Sequence, residues 1–113
     1  MVACVIPPGE VRMIDTNIMV IIPDGAYGRL ASRSSHCLHG VFVQGGVIDS
    51  DYRGTIKVVF YNSSKEPYEF FAGDRIAQLL IEQLADTEAE ELPVLAPELA
   101  STRGSGGFGS TGR

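Results

Sequence analysis

Gly45-Gly46-Val47-Ile48-Asp49-Ser50-Asp51-Tyr52-Arg53-Gly54 is the stretch around which the chain is read. Two glycines open it and a third closes it. Glycine permits positive φ and close approach of a backbone to a neighbour or a ligand. Asp49 and Asp51 stand at i and i+2, so in an extended segment both carboxylates project to one side. The stretch therefore reads as a hairpin with bare main-chain donors and acceptors beside an acid. The residues that follow, Thr55-Ile56-Lys57-Val58-Val59-Phe60-Tyr61, alternate with period two. Ile56, Val58 and Phe60 mark the inner face of a half-buried strand. Taken alone, the stretch is more simply a tight turn with solvated acids; its surroundings argue otherwise.

Upstream, Ile18-Met19-Val20-Ile21-Ile22 is a short, mostly β-branched apolar run. Its length predicts a fully buried strand rather than a helix. Pro23-Asp24-Gly25 ends it as a turn, because proline presets φ and glycine takes the left-handed position. Tyr27 to Ala31 predicts another strand, and Cys4-Val5-Ile6, Val11 to Thr16 and Val41-Phe42-Val43 read as further short extended pieces. Val11 and Met13 share one side of their strand, with Arg12 and Thr16 on the other. Downstream, Tyr68 to Phe71 and Arg75 to Glu82 predict two more strands around the turn Ala72-Gly73-Asp74. Many short strands divided by Gly/Pro turns predict an all-β domain, a jelly-roll-like barrel or sandwich.

Ser32-Arg33-Ser34-Ser35 places a guanidinium fork among three hydroxyls at a strand end. Those groups suit a phosphate; a polar loop with local hydroxyl-to-backbone bonds is the competing account. His36, Cys37 and His39 lack the further ligands of a metal cluster and read as loop and surface residues.

The chain has 113 residues, 44% of them apolar, enough for one small folded domain. A core this small would gain from oligomerisation. No apolar run approaches the ~20 residues of a membrane span. The start has no secretory pattern, and Cys4 and Cys37 have no pairing motif, so an intracellular protein, cytoplasmic or nuclear, is expected. A net charge of −5 argues against general nucleic-acid binding. A small polyanion held locally, with Mg²⁺ offsetting its charge, remains compatible.

Composition shifts at Ala85. Residues 1–84 read as the β domain, 85–100 as an acidic, proline-bearing arm, and 101–113 as a glycine-rich tail. The tail is either a flexible linker or a lid that orders on a ligand. Phe108, a lone aromatic among glycines, favours the lid by its fitness to stack on a planar group. Arg103, Ser110 and Thr111 add phosphate-binding groups.

Four segments in order resemble the trimeric dUTP pyrophosphatase (dUTPase) family: Pro23 to Ser35, Gly46 to Gly54, Gly73 to Leu80, and Arg103 to Gly112. The resemblance implies hydrolysis of dUTP to dUMP and pyrophosphate with Mg²⁺. It also implies a jelly-roll-like domain in a homotrimer with shared active sites. By the same resemblance, Asp49 would be the general base, and Tyr52 would pack under the deoxyribose. The backbone at Gly46, Val47 and Ile48 would read uracil. Arg33, Ser34, Ser35 and Gln78 would serve the phosphates and the attacking water. Arg103 would bind the γ-phosphate. Phe108 and Gly109 would cover the base, and Ser110 and Thr111 would clasp the phosphates. The metal would be held by substrate phosphates and water rather than directly by side chains.

Two departures stand out. An Ala-Gly-Tyr-Asp-Leu-like segment that family members carry before the Val-Ile-Pro-Pro-Gly-Glu stretch, with a metal-holding aspartate, is not in the sequence. The fold is therefore expected to be N-terminally truncated. Ser35 replaces a common glycine, and residues 36–44 fit the pattern poorly. A dUTPase-like nucleotide-binding or protein-interaction protein with impaired catalysis is the alternative. A dCTP deaminase relative shares the fold, but Tyr52 and the Phe108 tail speak against it.

Overall fold

The computed structural model describes residues 3–93. Arg103, Phe108, Gly109, Ser110 and Thr111, and the arm from residue 94 onward, lie outside the described residues. Eight strands are formed: β1 (Cys4–Ile6), β2 (Val11–Asp15), β3 (Ala26–Ser32), β4 (Val41–Gln44), β5 (Val47–Ile48), β6 (Lys57–Asn62), β7 (Tyr68–Phe70) and β8 (Ala77–Gln83). A short helix, α1 (Ser34–Cys37), follows β3. Among the described residues the fold is thus all-β but for one helical turn.

The strands form three antiparallel sheets, β1-β7, β2-β6-β4 and β5-β3-β8. None closes on itself, so the arrangement is an open sandwich rather than the barrel also entertained from the sequence. All three sheets contribute to one core: Ile6, Ile14, Leu30, Val41, Val58, Phe60 and Phe70, with Ile56 and Ile76 from flanking loops. In β6 the predicted alternation holds, with Val58, Phe60 and Asn62 inward and Lys57, Val59 and Tyr61 more exposed.

Two expectations fail. Residues 18–22 form no strand; Ile18 and Ile21 are 59% and 64% exposed and only Ile22 is buried. The segment runs beside Ile56, whose N–H donates to the Ile18 carbonyl at 2.7 Å, but gains no ladder beyond that point. Length and β-branching here set neither strand pairing nor burial. The Gly45–Gly54 stretch is also no hairpin. β5 pairs with β3, whereas β4 and β6 pair with each other in a different sheet. Gly45 and Gly46, at φ 63° and 97°, carry the chain from one sheet to the other. Gly46 backs onto Leu30: its carbonyl accepts the Leu30 N–H at 2.8 Å, and a Cβ there would lie 2.9 Å from the Leu30 oxygen. Only glycine meets both demands.

Asn62 is the polar residue within the described core, at 0% exposure. Its amide donates to the carbonyls of Ile6 (2.9 Å) and Glu66 (2.7 Å). Its Oδ1 accepts from the N–H and hydroxyl of Ser64 at 3.0 and 2.7 Å. One side chain thus ties β1 to the turn before β7. Asn62→Ala should destabilise the fold by about 2–4 kcal/mol, because it strands buried carbonyls as well as opening a void. Asn62→Asp should lose a comparable amount by facing oxygen against two carbonyls. Urea denaturation midpoints measure both.

Across β3 and β8, Arg29 Nε meets Glu82 Oε1 at 2.6 Å, with the Tyr27 hydroxyl donating to the same oxygen at 3.2 Å. The Arg29 hydrogen bond first, and then the Tyr27 bond and the guanidinium charge, hold the Glu82 carboxyl below its ordinary 4.5. A carboxyl depressed on folding stabilises the fold above its unfolded value, and that contribution is lost as pH falls through the folded one. The pair is exposed, so the effect is small. Glu82→Gln should lower the urea midpoint at pH 7 and match the parent once pH is well below 4.5.

Candidate functional site

The crossing at Gly45-Gly46 delivers β5 and the turn after it to the molecular surface. Tyr52 N–H donates to the Asp49 carbonyl at 3.1 Å, closing a turn over Ser50 and Asp51. Asp49 and Asp51 therefore share a side through turn geometry and not through the extended spacing read from the sequence. Arg53 braces the turn, its Nη1 donating to the carbonyls of Ser50 (2.8 Å) and Tyr52 (3.0 Å). The Tyr52 ring folds back along the chain and its hydroxyl donates to the Thr55 carbonyl at 2.7 Å. That seat needs Gly54, where a Cβ would lie 2.8 Å from the phenol oxygen.

These residues line a cleft of about 430 Å³ with Val47, Ile48, Asp49, Asp51 and Tyr52 on its walls. Arg53, Ile56 and Lys57 complete it. A second opening beside it, about 590 Å³, shares Val47, Asp49 and Asp51 and adds Ala26, Tyr27 and Leu84. Beneath β5, Gly28 leaves room for Ile48; a Cβ at Gly28 would approach Ile48 Cβ at 3.4 Å and Ile22 Cδ1 at 2.9 Å.

Arg33 and Gln78 lie elsewhere in the chain, in a cleft of about 550 Å³ that also includes Asp74, Arg75, Ile56 and Leu30. Arg33 is the residue before α1, and Gln78 sits on β8, where its Nε2 donates to the Ser32 carbonyl at 3.0 Å. Ser32 in turn accepts the Val43 N–H at 2.8 Å, joining β3 to β4. Ser34 and Ser35 are exposed on α1 and line neither cleft; Gly46 stays behind β5 as a backbone element. Within one chain, then, the cleft of Asp49 and Tyr52 and the cleft of Arg33 and Gln78 are separate, and Ile56 contributes to both.

Arg75 in the 550 Å³ cleft and Lys57 in the 430 Å³ cleft were not singled out from the sequence. Arg75 follows the Gly73-Asp74 turn, and that position was a usable signal. Lys57 sits at an outward position of an otherwise ordinary strand, and nothing local marked it. Lys57 also approaches Asp15 at 3.9 Å. The Asp15 carboxyl is held below its ordinary value by the Asn17 N–H first, then the Thr55 hydroxyl and Lys57. Among the described residues, no three His, Cys, Asp or Glu side chains gather as a metal cage. His36 is half-buried and bonded rather than loose on the surface, with Nδ1 2.7 Å from the Tyr68 hydroxyl.

The dUTPase family model matches residues 2–112. The chain is 46% identical over 113 residues to the deoxyuridine 5'-triphosphate nucleotidohydrolase of Candida albicans, covering 98% of this chain and 70% of that protein. It is 48% identical over 109 residues to the human mitochondrial enzyme of that name, covering 96% of this chain but 42% of the human protein. The chain thus spans well under half the length of that human relative. Among solved structures, a Staphylococcus bacteriophage 80alpha dUTPase mutant with dUpNHpp superposes with a TM-score of 0.83 at 26% identity. That match covers 99% of this chain and 82% of the other. The EIAV dUTPase gives a TM-score of 0.74 at 27% identity, covering 80% and 76%. With an antiparallel β-sandwich, an acid-and-tyrosine turn behind two glycines, and matches along nearly its whole length, the chain belongs to the dUTPase family.

Proposed function

We propose that this chain hydrolyses dUTP to dUMP and pyrophosphate. The observation that carries the reading is the pairing of Asp49 and Tyr52 in one cleft, on a turn whose preceding backbone, Gly46 to Ile48, is held by β3. In this reading the Tyr52 face packs under deoxyribose and excludes a 2′-hydroxyl. The main chain at Gly46, Val47 and Ile48 presents its donors and acceptors to uracil, and unmatched polar groups reject cytosine. Asp49 takes a proton from water as its oxygen bonds to the α-phosphorus. The bond from that phosphorus to the bridging oxygen breaks and pyrophosphate leaves. Mg²⁺ carried on the phosphate oxygens would offset their charge; the carboxylates of Asp49 and Asp51 are hard oxygen donors suited to reach it through water. Arg33, Ser34, Ser35 and Gln78 hold phosphates and water by position and charge.

The separation of the two clefts within one chain fits a homotrimer in which one subunit supplies Asp49 and Tyr52 and a neighbour supplies Arg33 and Gln78. The apolar residues exposed on the described surface fit it too: Val11, Met13, Ile18, Met19 and Ile21 on one stretch, and Leu79, Leu80 and Ile81 on β8. The tail 101–113 completes the site, with Arg103 on the γ-phosphate, Phe108 and Gly109 over uracil, and Ser110 and Thr111 on phosphates. Cys4 and Cys37 are both free, as a cytoplasmic or nuclear protein would keep them.

Pyrophosphate release from dUTP with Mg²⁺ tests the reading. Asp49→Asn should lower kcat about 10²–10⁴-fold, the range for removing a general base, while still binding dUpNHpp. Equal rates would overturn the assignment, and nucleotide binding without turnover in the parent chain would favour the catalytically impaired binding protein. Phe108→Ala should weaken nucleotide binding by about 1–3 kcal/mol, the worth of one stacked base. Truncation after Ala100 should stop turnover and leave a trimer by light scattering; a monomer in both forms would count against assembly.

A further inference from the structure

The two cationic residues of the 550 Å³ cleft, Arg33 and Arg75, come from distant parts of the chain. One residue touches the main chain of both. His36 N–H donates to the Arg33 carbonyl at 3.1 Å, and His36 Nε2 lies 2.8 Å from the Arg75 carbonyl. A carbonyl only accepts, so Nε2 carries the proton. A neutral ring then accepts at Nδ1, where the Tyr68 hydroxyl stands at 2.7 Å. Burial, and secondarily the Asp74 charge, push the Tyr68 phenol above its ordinary value, so it keeps the proton it donates. The ring is also wedged edge-on against Phe70, with centroids 4.8 Å apart, and Phe70 is fully buried. The imidazole is thus fixed at both nitrogens and on one edge.

We propose that His36 is a positioning residue for the phosphate side of the site: it clamps the α1 turn that carries Arg33 to the loop that carries Arg75 and leads to Gln78. The inference rests on the dUTP reading above and deepens it. It assigns work to a residue in the stretch that fits the family pattern least. His36 touches no substrate; it acts through the backbones it holds. A flexible tie would let Arg33 and Arg75 drift apart and lose their joint grip on a polyanion. The base and sugar pocket, built on β5 and its turn, does not contact this clamp and should not feel its loss.

The test compares two nucleotides on the full chain. Affinity for dUpNHpp, which has the whole phosphate chain, is measured beside affinity for dUMP, which has only the innermost phosphate. In His36→Leu, dUpNHpp binding should weaken about tenfold, or about 1.4 kcal/mol, with dUMP binding unchanged. His36→Gln, whose amide can still donate to the Arg75 carbonyl, should recover most of the loss. His36→Asn, which reaches only towards Tyr68, should not. Parent-like affinity for both nucleotides in His36→Leu would overturn the clamp and leave the dUTP reading standing. So would equal weakening of both nucleotides, which marks a general structural role. If His36→Leu does not fold, Gln and Asn variants that behave alike would overturn it. A parent chain that binds dUMP and dUpNHpp no better than the matching cytidine nucleotides would instead remove the dUTP reading.

Discussion

The chain turns on a steric constraint at Gly46. At that point the backbone leaves the β2-β6-β4 sheet and enters the β5-β3-β8 sheet with positive φ, pressed against Leu30. A side chain would clash with the Leu30 carbonyl and strain the backbone together. Because the crossing is that tight, β5 needs only two residues to register on Gly28 and Arg29. The turn bearing Asp49 and Tyr52 is then fixed by four further contacts within the loop itself. The role proposed for Asp49 asks for a position held to within fractions of an ångström. The glycines lie on one side of β5, where positive φ and the close approach to Leu30 admit no side chain; on the other side the loop's own hydrogen bonds hold the turn.

Glycines set the site in a second way. Gly28 leaves space under β5 for Ile48 and Ile22, and Gly54 leaves space for the Tyr52 ring. Neither has positive φ; both act by lacking volume. The side of the sandwich that faces the proposed nucleotide is therefore shaped as much by what is missing from the backbone as by the side chains present. The clamp at His36 works in the opposite manner, filling space and saturating donors between α1, β7 and the start of β8.

Much of this was legible in the sequence. The alternation of Ile56, Val58 and Phe60 located β6 and its buried face because period two is a local property. Pro-Asp-Gly and Ala-Gly-Asp marked their turns because φ preferences are local too. Most residues of the Asp49 cleft are legible because they fall in one contiguous stretch, whereas Lys57 beside them is not. Pairing was not legible. The stretch looked like a hairpin because hairpins are the commonest use of two glycines, and nothing local says that β5 belongs with β3. The length and β-branching of the apolar run at residues 18–22 predict a buried strand, yet three of its five side chains are exposed. Hydrophobicity says that a residue avoids water, not which surface removes it from water. The bonded state of His36 depends on contacts with residues 32 and 39 positions away, beyond any window of sequence.

The outward apolar residues carry a consequence for how the protein is made. β8 sits at a sheet edge with Leu79, Leu80 and Ile81 uncovered on the described surface, and edges of this kind recruit other strands indiscriminately. For the homotrimer proposed above, a newly synthesised chain would face a race between finding its own kind and sticking to something else. Dilute expression would favour the wrong outcome, since encounter between sister chains is the slower step when few are present. Selection on such a molecule acts on the speed of its first meeting as well as on the finished fold.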